Sequence, residues 1–201
     1  LYKLFDACVL DSFPTAHRSC PSIVGFSELL PSCGGRIVEK ELKALNKLLN
    51  VAKGICATVL GGAKISDRLE AIDTLIANNR ADKVLLTGTV GNVFLKASGQ
   101  LDAKLGIDDE VKYVKQAKKL LTNHPDVFEM PKDVAIMSND SRVEVLIKEL
   151  KPNDKILDIG SMTIDNYSRI IKSSGTIFMS GPPGMFEDNR FSKGTEELLR
   201  A

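Results

Sequence analysis

The chain has no CxxC pair, no membrane-length apolar run and no tract of basic residues, and each absence argues against a class of function. Its four cysteines (Cys8, Cys20, Cys33, Cys56) stand apart, with only two histidines for company. A zinc site needs closely grouped thiolate and imidazole ligands, so the cysteines read as reduced thiols of a cytoplasmic protein and no metal ligands are assigned. Lys+Arg total 27 against 26 Asp+Glu, a formal net charge of +1. With no basic run and no aromatic–basic interleaving, nucleic acid is not indicated as a partner. The longest apolar stretch falls far short of the roughly 20 residues a membrane span needs, and no basic amphipathic helix offers a face to lipid. No segment repeats and none is of low complexity. What is there is 201 residues, enough for one large α/β domain or one domain plus part of another.

The sequence starts at Leu1, without an initiator methionine or a signal-peptide pattern, in what reads as the middle of a strand over residues 5–10. It stops at Ala201, early in a helical pattern, so a fragment or the ordered part of something longer is expected. From Val51 onward apolar runs alternate with helical patterns. Strands are predicted at residues 55–60, 83–87, 134–137, 156–159 and 176–179, and helices at 66–78, 89–98, 108–121 and 163–172; residues 143–150 fit either type. This alternation predicts an α/β fold, an open parallel sheet with helices on both faces. Before it, Leu42, Leu45 and Leu49 recur at helical spacing over residues 39–49, after the hinge-like Pro31-Ser32-Cys33-Gly34-Gly35. Residues 1–38 then read as part of a second structural unit, joined by a connecting helix.

Gly61-Gly62-Ala63-Lys64-Ile65-Ser66-Asp67-Arg68 is the most informative stretch: a glycine turn between a strand and a helix start, with Lys64 and Arg68 one turn apart. Free backbone N–H groups at a helix N-terminus favour an anion, and glycine lets the backbone approach it. A packed turn with solvated cations fits the same residues. Three more loops follow predicted strands: Thr87-Gly88-Thr89, Ile159-Gly160-Ser161, and Ser180-Gly181-Pro182-Pro183-Gly184-Met185-Phe186-Glu187. Strand carboxyl ends line the crevice of a parallel sheet. Glu187 can accept hydrogen bonds from a ribose diol, or be an exposed loop carboxylate. Thr15-Ala16-His17-Arg18 places an arginine beside a histidine, suited to a phosphate or carboxylate and equally to a plain surface. Asp133 either faces the crevice or merely starts a strand, and His124 reads as a surface loop residue.

In order along the chain stand Asp11-Ser12-Phe13-x-Thr15-Ala16-His17-Arg18, Glu39-Lys40-Glu41-Leu42, Gly61-Gly62-Ala63-Lys64-x-Ser66-Asp67, Phe94-Leu95-Lys96, Leu157-Asp158-Ile159-Gly160, and Gly181-Pro182-x-Gly184-x-Phe186-Glu187 followed by Lys193-Gly194-Thr195. Each motif alone is weak, but this ordered series resembles the phosphoglycerate kinases over the whole chain. The resemblance implies the end of a phosphoglycerate-binding domain (1–38), an interdomain helix (39–50), and most of a Rossmann-like nucleotide-binding domain (51–201). It implies reversible phosphoryl transfer between 1,3-bisphosphoglycerate and ADP, with Mg2+ accompanying ADP or ATP, in a cytoplasmic, monomeric enzyme. Arg18, with His17 beside it, matches the phosphoglycerate ligand. Lys64 matches the lysine that touches the transferring phosphoryl group, and Arg68 stands where the family has a second lysine. Gly62, Gly88, Gly160 and Gly184 lie in loops bordering the nucleotide, and Glu187 matches the ribose carboxylate.

The chain departs from the family pattern at Leu10, Pro14, Thr87, Thr89 and Ser180. The family's Gly-Gly-Asp motif, whose Asp holds magnesium, does not occur in these residues, so they are expected to bind nucleotide weakly and not to turn over by themselves. Residues 151–160 also resemble the start of a methyltransferase cofactor motif, but Ser161-Met162-Thr163 lacks the further glycines that motif needs. A nucleotide-binding module without catalysis is the other alternative.

Overall fold

The computed structural model describes residues 2–50 and 54–201. By contacts the chain divides into two compact units, Leu1–Ala52 and Lys53–Ala201. The boundary expected at Val51 lies outside the described residues.

In the first unit β1 (Cys8–Leu10) pairs in parallel with β2 (Ser32–Gly34), with the short helix α1 (Pro21–Val24) between them and the long helix α2 (Arg36–Asn50) after them. The strand expected over residues 5–10 is shorter, because Tyr2–Leu4 closes a 3-10 turn. Asp11, just past β1, accepts hydrogen bonds from the backbone N–H groups of Ile37 (2.7 Å) and Val38 (3.0 Å). A carboxylate there satisfies helix-start donors and complements the dipole of α2. No residue from 2 to 47 is buried, and Leu4, Phe5, Val9 and Leu29 are each more than half exposed.

The second unit runs β3 (Cys56–Leu60), α3 (Ile65–Ala77), β4 (Lys83–Leu86), α4 (Gly88–Ala97), α5 (Glu110–Asn123), β5 (Phe128–Glu129), β6 (Asp133–Ser138), β7 (Ser141–Leu146), β8 (Ile156–Ile159), α6 (Ser161–Ser173), β9 (Thr176–Ser180) and α7 (Lys193–Arg200). Four strands form a parallel sheet in the order β5-β4-β3-β9. Side chains alternate across its faces, as strand geometry requires. Leu60, Val84 and Leu86 face a cluster with Leu69 and Ile72 of α3, Val90 and Phe94 of α4, and Leu120 of α5. Val59 and Leu85 face the other way, onto Ile164, Tyr167 and Ile171 of α6 and Leu198 of α7. Each fully buried Leu, Ile or Phe contributes about 1.5–3 kcal/mol. The fold is therefore α/β with helices on both faces of a parallel sheet. Tyr167, wholly buried, places its hydroxyl 3.0 Å from the Leu86 carbonyl and 2.7 Å from that of Glu129.

Two expected members of that sheet lie elsewhere. Residues 134–137 and 156–159 belong to a separate three-stranded sheet, β7-β6-β8, in which both pairings are antiparallel. The cause is a hairpin. Ser138 pairs with Ser141, leaving the two-residue loop Asn139-Asp140 with φ of +48° and +60°. Positive φ at both positions is what a tight hairpin turn demands. The ambiguous residues 143–150 thus carry the end of β7 and a 3-10 turn, Ile147–Glu149.

Candidate functional site

The parallel sheet grows outward from β3 through β4 to β5, then the chain returns to place β9 on the far side of β3. The order reverses at β3, and in such sheets the crevice opens at the carboxyl ends of the strands flanking that point. A cavity of about 450 Å³ lies there, lined by Gly62, Gly88, Thr89, Leu157, Gly184 and Glu187 among others. Its loops pack backbone against backbone: the Gly61 N–H donates to the Ser180 carbonyl (3.0 Å) and the Gly62 N–H to the Pro182 carbonyl (3.0 Å). A Cβ on Gly61 would collide with the Pro182 carbonyl oxygen, and Gly88 holds φ at +54°, so only glycine fits either position without strain. The Thr87 hydroxyl donates to the Leu60 carbonyl (2.9 Å), fixing the exits of β3 and β4 together.

Helix starts sort the loops into those that can take an anion and those that cannot. Among the described residues no side chain accepts from the first-turn N–H groups of α3 or α4, so these remain available. The start of α6 is already filled. The Asp133 carboxylate accepts from the Met162 N–H (3.0 Å), the Thr163 N–H (2.8 Å) and the Thr163 hydroxyl (2.7 Å), while Glu144 accepts from the Ser161 N–H (2.9 Å). Asp133 is therefore a buried cap rather than a crevice residue.

The structure brings Gly62, Gly88, Gly184 and Glu187 together around the cavity. Lys64 occupies the position just before α3 and is exposed; it lines a neighbouring cavity of about 540 Å³ that shares Ala63 with the first. Arg68, half-buried one turn on, donates from Nε to the Gly61 carbonyl at 3.4 Å, a long bond that leaves its terminal nitrogens unpaired among the described residues. The Asp67 carboxylate also lines the Lys64 cavity and accepts from the Ser66 hydroxyl (3.1 Å), moderating its positive character. His17 and Arg18 are exposed in the first unit, beyond the 3-10 turn Phe13–Thr15; the Arg18 N–H donates to the Thr15 carbonyl (2.9 Å).

Gly160 is not part of this cleft. Because β8 runs antiparallel to β6, its carboxyl end meets the start of β6, and the Gly160 N–H donates to the Asp133 carbonyl (3.1 Å). The amino-terminal end of β8 reaches the cavity instead, through Ile156 and Leu157. The same capping closes the place where a methyltransferase-like motif would hold its cofactor.

One residue beneath the cleft, quoted above within a motif, was given no role of its own. Asp158 is 1 % exposed within an otherwise apolar strand. Its Oδ2 accepts from the Gly194 N–H (2.8 Å) at the start of α7, and Arg142 Nη2 stands 3.5 Å away. Among the described residues its Oδ1 has no partner, and it packs where a Cβ on Gly184 or Gly194 would sit. Burial pushes its carboxyl above the usual range against these bonds. Nearby, burial also acts to raise Glu144, but hydrogen bonds from Arg142 and Ser161 outweigh it and hold that carboxyl at about 2. A carboxylate inside the run Ile156-Leu157-Asp158-Ile159 was the available signal, since a buried charge requires partners.

The family model described as Phosphoglycerate kinase matches residues 1–201. The phosphoglycerate kinases of Methanobacterium bryantii and Methanothermus fervidus are 43 % and 42 % identical over 99 % and 100 % of this chain. The chain spans about half the length of the curated relatives it matches (50 % in both cases). Among solved structures, the phosphoglycerate kinase of Pyrococcus horikoshii OT3 aligns with a TM-score of 0.89 and 34 % identity, over 99 % of this chain and 51 % of that one. The phosphoglycerate kinase of Coxiella burnetii aligns with a TM-score of 0.84 and 29 % identity, over 99 % and 52 %. A chain matched along its entire length by one family, in sequence and in fold, belongs to that family: it is a member of the phosphoglycerate kinases.

Proposed function

We propose that the chain supplies most of the nucleotide-binding part of a phosphoglycerate kinase together with the end of its phosphoglycerate-binding part. The supporting observation is the cleft at the carboxyl ends of β3, β4 and β9, where two uncapped helix starts, Lys64, Arg68 and Glu187 surround close-packed glycine loops. The reaction is reversible transfer of the acyl phosphate of 1,3-bisphosphoglycerate to ADP, giving ATP and 3-phosphoglycerate, with a carboxyl group as the acceptor in reverse. Its loose transition state spreads negative charge over the phosphoryl oxygens, so catalysis is mainly positioning and cationic stabilisation. Lys64 contacts the transferring group, and Arg68 offers a forked guanidinium where a lysine would give a point charge. Glu187 accepts from the ribose hydroxyls, while Gly62, Gly88 and Gly184 let backbone approach the nucleotide. In the first unit Arg18, with His17, holds the phosphoglycerate.

Residues 1–38 are read as closing the phosphoglycerate-binding domain, 39–50 as the interdomain helix and 51–201 as the nucleotide-binding domain. The exposed Leu4, Phe5, Val9 and Leu29 suit a first unit that needs more of its domain to cover them. Magnesium accompanies the nucleotide in this reading. Among the described residues no group of three or more His, Cys, Asp or Glu could hold a metal, and Asp158 is committed to Gly194. These residues do not fit a magnesium site of their own, and no step is assigned to the metal. The proposed setting is a cytoplasmic monomer acting on small molecules, with no nucleic acid or lipid partner; no described helix is long and apolar enough to cross a membrane.

Titration of the isotope-labelled chain with ADP, followed by amide chemical shifts, tests the nucleotide assignment. Shifts are expected at Gly62, Ala63, Gly88, Gly184 and Glu187, with Arg68→Ala weakening ADP by about tenfold or more, the scale of a lost charge-assisted hydrogen bond. A footprint centred on Gly160, or none anywhere, overturns the proposal.

A further inference from the structure

Asp158 is the one charged residue of β8, and among the described residues one of its two oxygens has no partner. It is almost wholly buried, and an orphan carboxylate oxygen there costs stability that an apolar side chain of similar size would not. The neighbours of that carboxyl are two glycines from different segments. Gly184 belongs to the loop after β9, and Gly194 to the start of α7. A Cβ on either would collide with Oδ1, while Oδ2 accepts from the Gly194 N–H (2.8 Å). The carboxyl therefore fills the space between the loop and the helix start.

Glu187 lies three residues beyond Gly184, and Asp158, Gly184 and Glu187 line one cavity. The segment between them hangs from β8: the Met185 N–H donates to the carbonyl of Leu157, the residue before Asp158 (2.8 Å). Beyond Glu187 the Asp188 N–H donates back to the Met185 carbonyl (3.0 Å), and the Phe191 N–H to the Asp188 carbonyl (2.7 Å). Phe191 is wholly buried in a cluster with Leu157. Glu187 itself is exposed, and among the described residues its carboxylate has no hydrogen bond or ion pair. Its place is thus set by the backbone that carries it, and that backbone rests on Asp158.

We propose that Asp158 is a positioning residue: by filling the space between Gly184 and Gly194 it sets the loop that brings Glu187 within reach of a ribose diol. The inference rests on the ribose reading of Glu187 and adds to it what holds that carboxylate in place. A small misplacement removes much of a binding group's contribution, because hydrogen bonds weaken steeply with distance and angle. The role needs a shape and an acceptor. Asparagine keeps the volume and an oxygen for the Gly194 N–H, so it should serve where alanine does not.

The test compares ADP with 2′,3′-dideoxy-ADP, which lacks both ribose hydroxyls, as ligands of the 201-residue chain. Amide shifts give both dissociation constants, and their ratio is read for each variant. In the unaltered chain the dideoxy ligand is expected to bind about tenfold more weakly, and Glu187→Ala should bring the ratio to about one. Asp158→Ala should also bring it to about one, and Asp158→Asn should restore it; a mere loss of stability leaves the ratio unchanged. Gly184→Ala presses on the same carboxyl from the loop side and should likewise abolish the ratio, which decides the matter should Asp158→Ala fail to fold. A ratio that survives Asp158→Ala or Gly184→Ala, or that Asp158→Asn does not restore, overturns this inference, while its loss in Glu187→Ala keeps the ribose reading. Equal binding of both ligands to the unaltered chain overturns the ribose reading and this inference with it. Binding of neither overturns the nucleotide reading as a whole.

Discussion

Glu144 shows how a single side chain couples the small sheet to the helices above it. Its carboxylate is paired with Arg142, accepts from the Ser161 N–H and hydroxyl (2.9 Å each), and has Lys193 at 3.6 Å. Held at about 2 against an ordinary 4.5, it contributes stability that is fully present above about pH 4.5 and is lost as the pH falls toward 2. Asp158, facing the same Arg142, has the opposite sign: its carboxyl is raised by burial, so protonation in acid favours the folded state and offsets part of that loss. Urea unfolding at about pH 6 and about pH 3 should therefore show a clear drop in midpoint, and Glu144→Gln should shrink that drop while lowering the midpoint at pH 6. An unchanged drop would mean that other groups carry the acid sensitivity. Neither residue was legible as a partner of the other. Glu144 lies in the stretch 143–150 whose type the pattern left open and Arg142 just before it, while Asp158 lies in another strand that only the fold brings near. Lys64, Arg68 and Glu187 stood out as candidates because of the glycines beside them in the sequence.

The start of α6 makes the contrast between a structural and a functional helix terminus testable at the scale of an element. Asp133 takes three donors there and is 4 % exposed, whereas α3 and α4 begin without any side-chain cap. Asp133→Ala would strand the Met162 and Thr163 donors and is expected to cost about 2–3 kcal/mol, read as a lower urea midpoint, with Asp133→Asn costing less. ADP shifts in the cleft should be unaffected. Loss of ADP binding at unchanged stability would place α6 in the ligand site after all. Alternation of apolar runs located most elements to within two residues, but strand direction left no mark in it. A buried strand reads the same whether its neighbour is parallel or antiparallel. For β6 and β7 the mark was in Asn139-Asp140, two residues tolerant of positive φ between β-rich runs; the antiparallel pairing of β8 with β6, which turns Gly160 away from the cleft, left none.

At the scale of the molecule, apolar burial is confined to one of the two units. Among the described residues every buried hydrophobic, from Cys56 to Leu198, belongs to the second, including the two clusters that sandwich the parallel sheet. The first has one two-stranded pair, one long helix and no buried residue between positions 2 and 47. The ordered motifs made both parts recognisable as family members, yet no motif reports how much core each part carries. Hydrophobic burial is the main term opposing chain entropy, and a single pair of short strands cannot supply it. Residues 54–201 alone should therefore unfold cooperatively in urea with nearly the midpoint and slope of that phase in the whole chain. Residues 1–52 alone should show no cooperative transition. A large fall in the midpoint on removing the first unit would mean that it stabilises the second through contacts that the core distribution does not reveal. An unchanged midpoint, with ADP shifts preserved in residues 54–201, would place nucleotide binding wholly within the second unit and leave Arg18 and His17 to act on the other substrate.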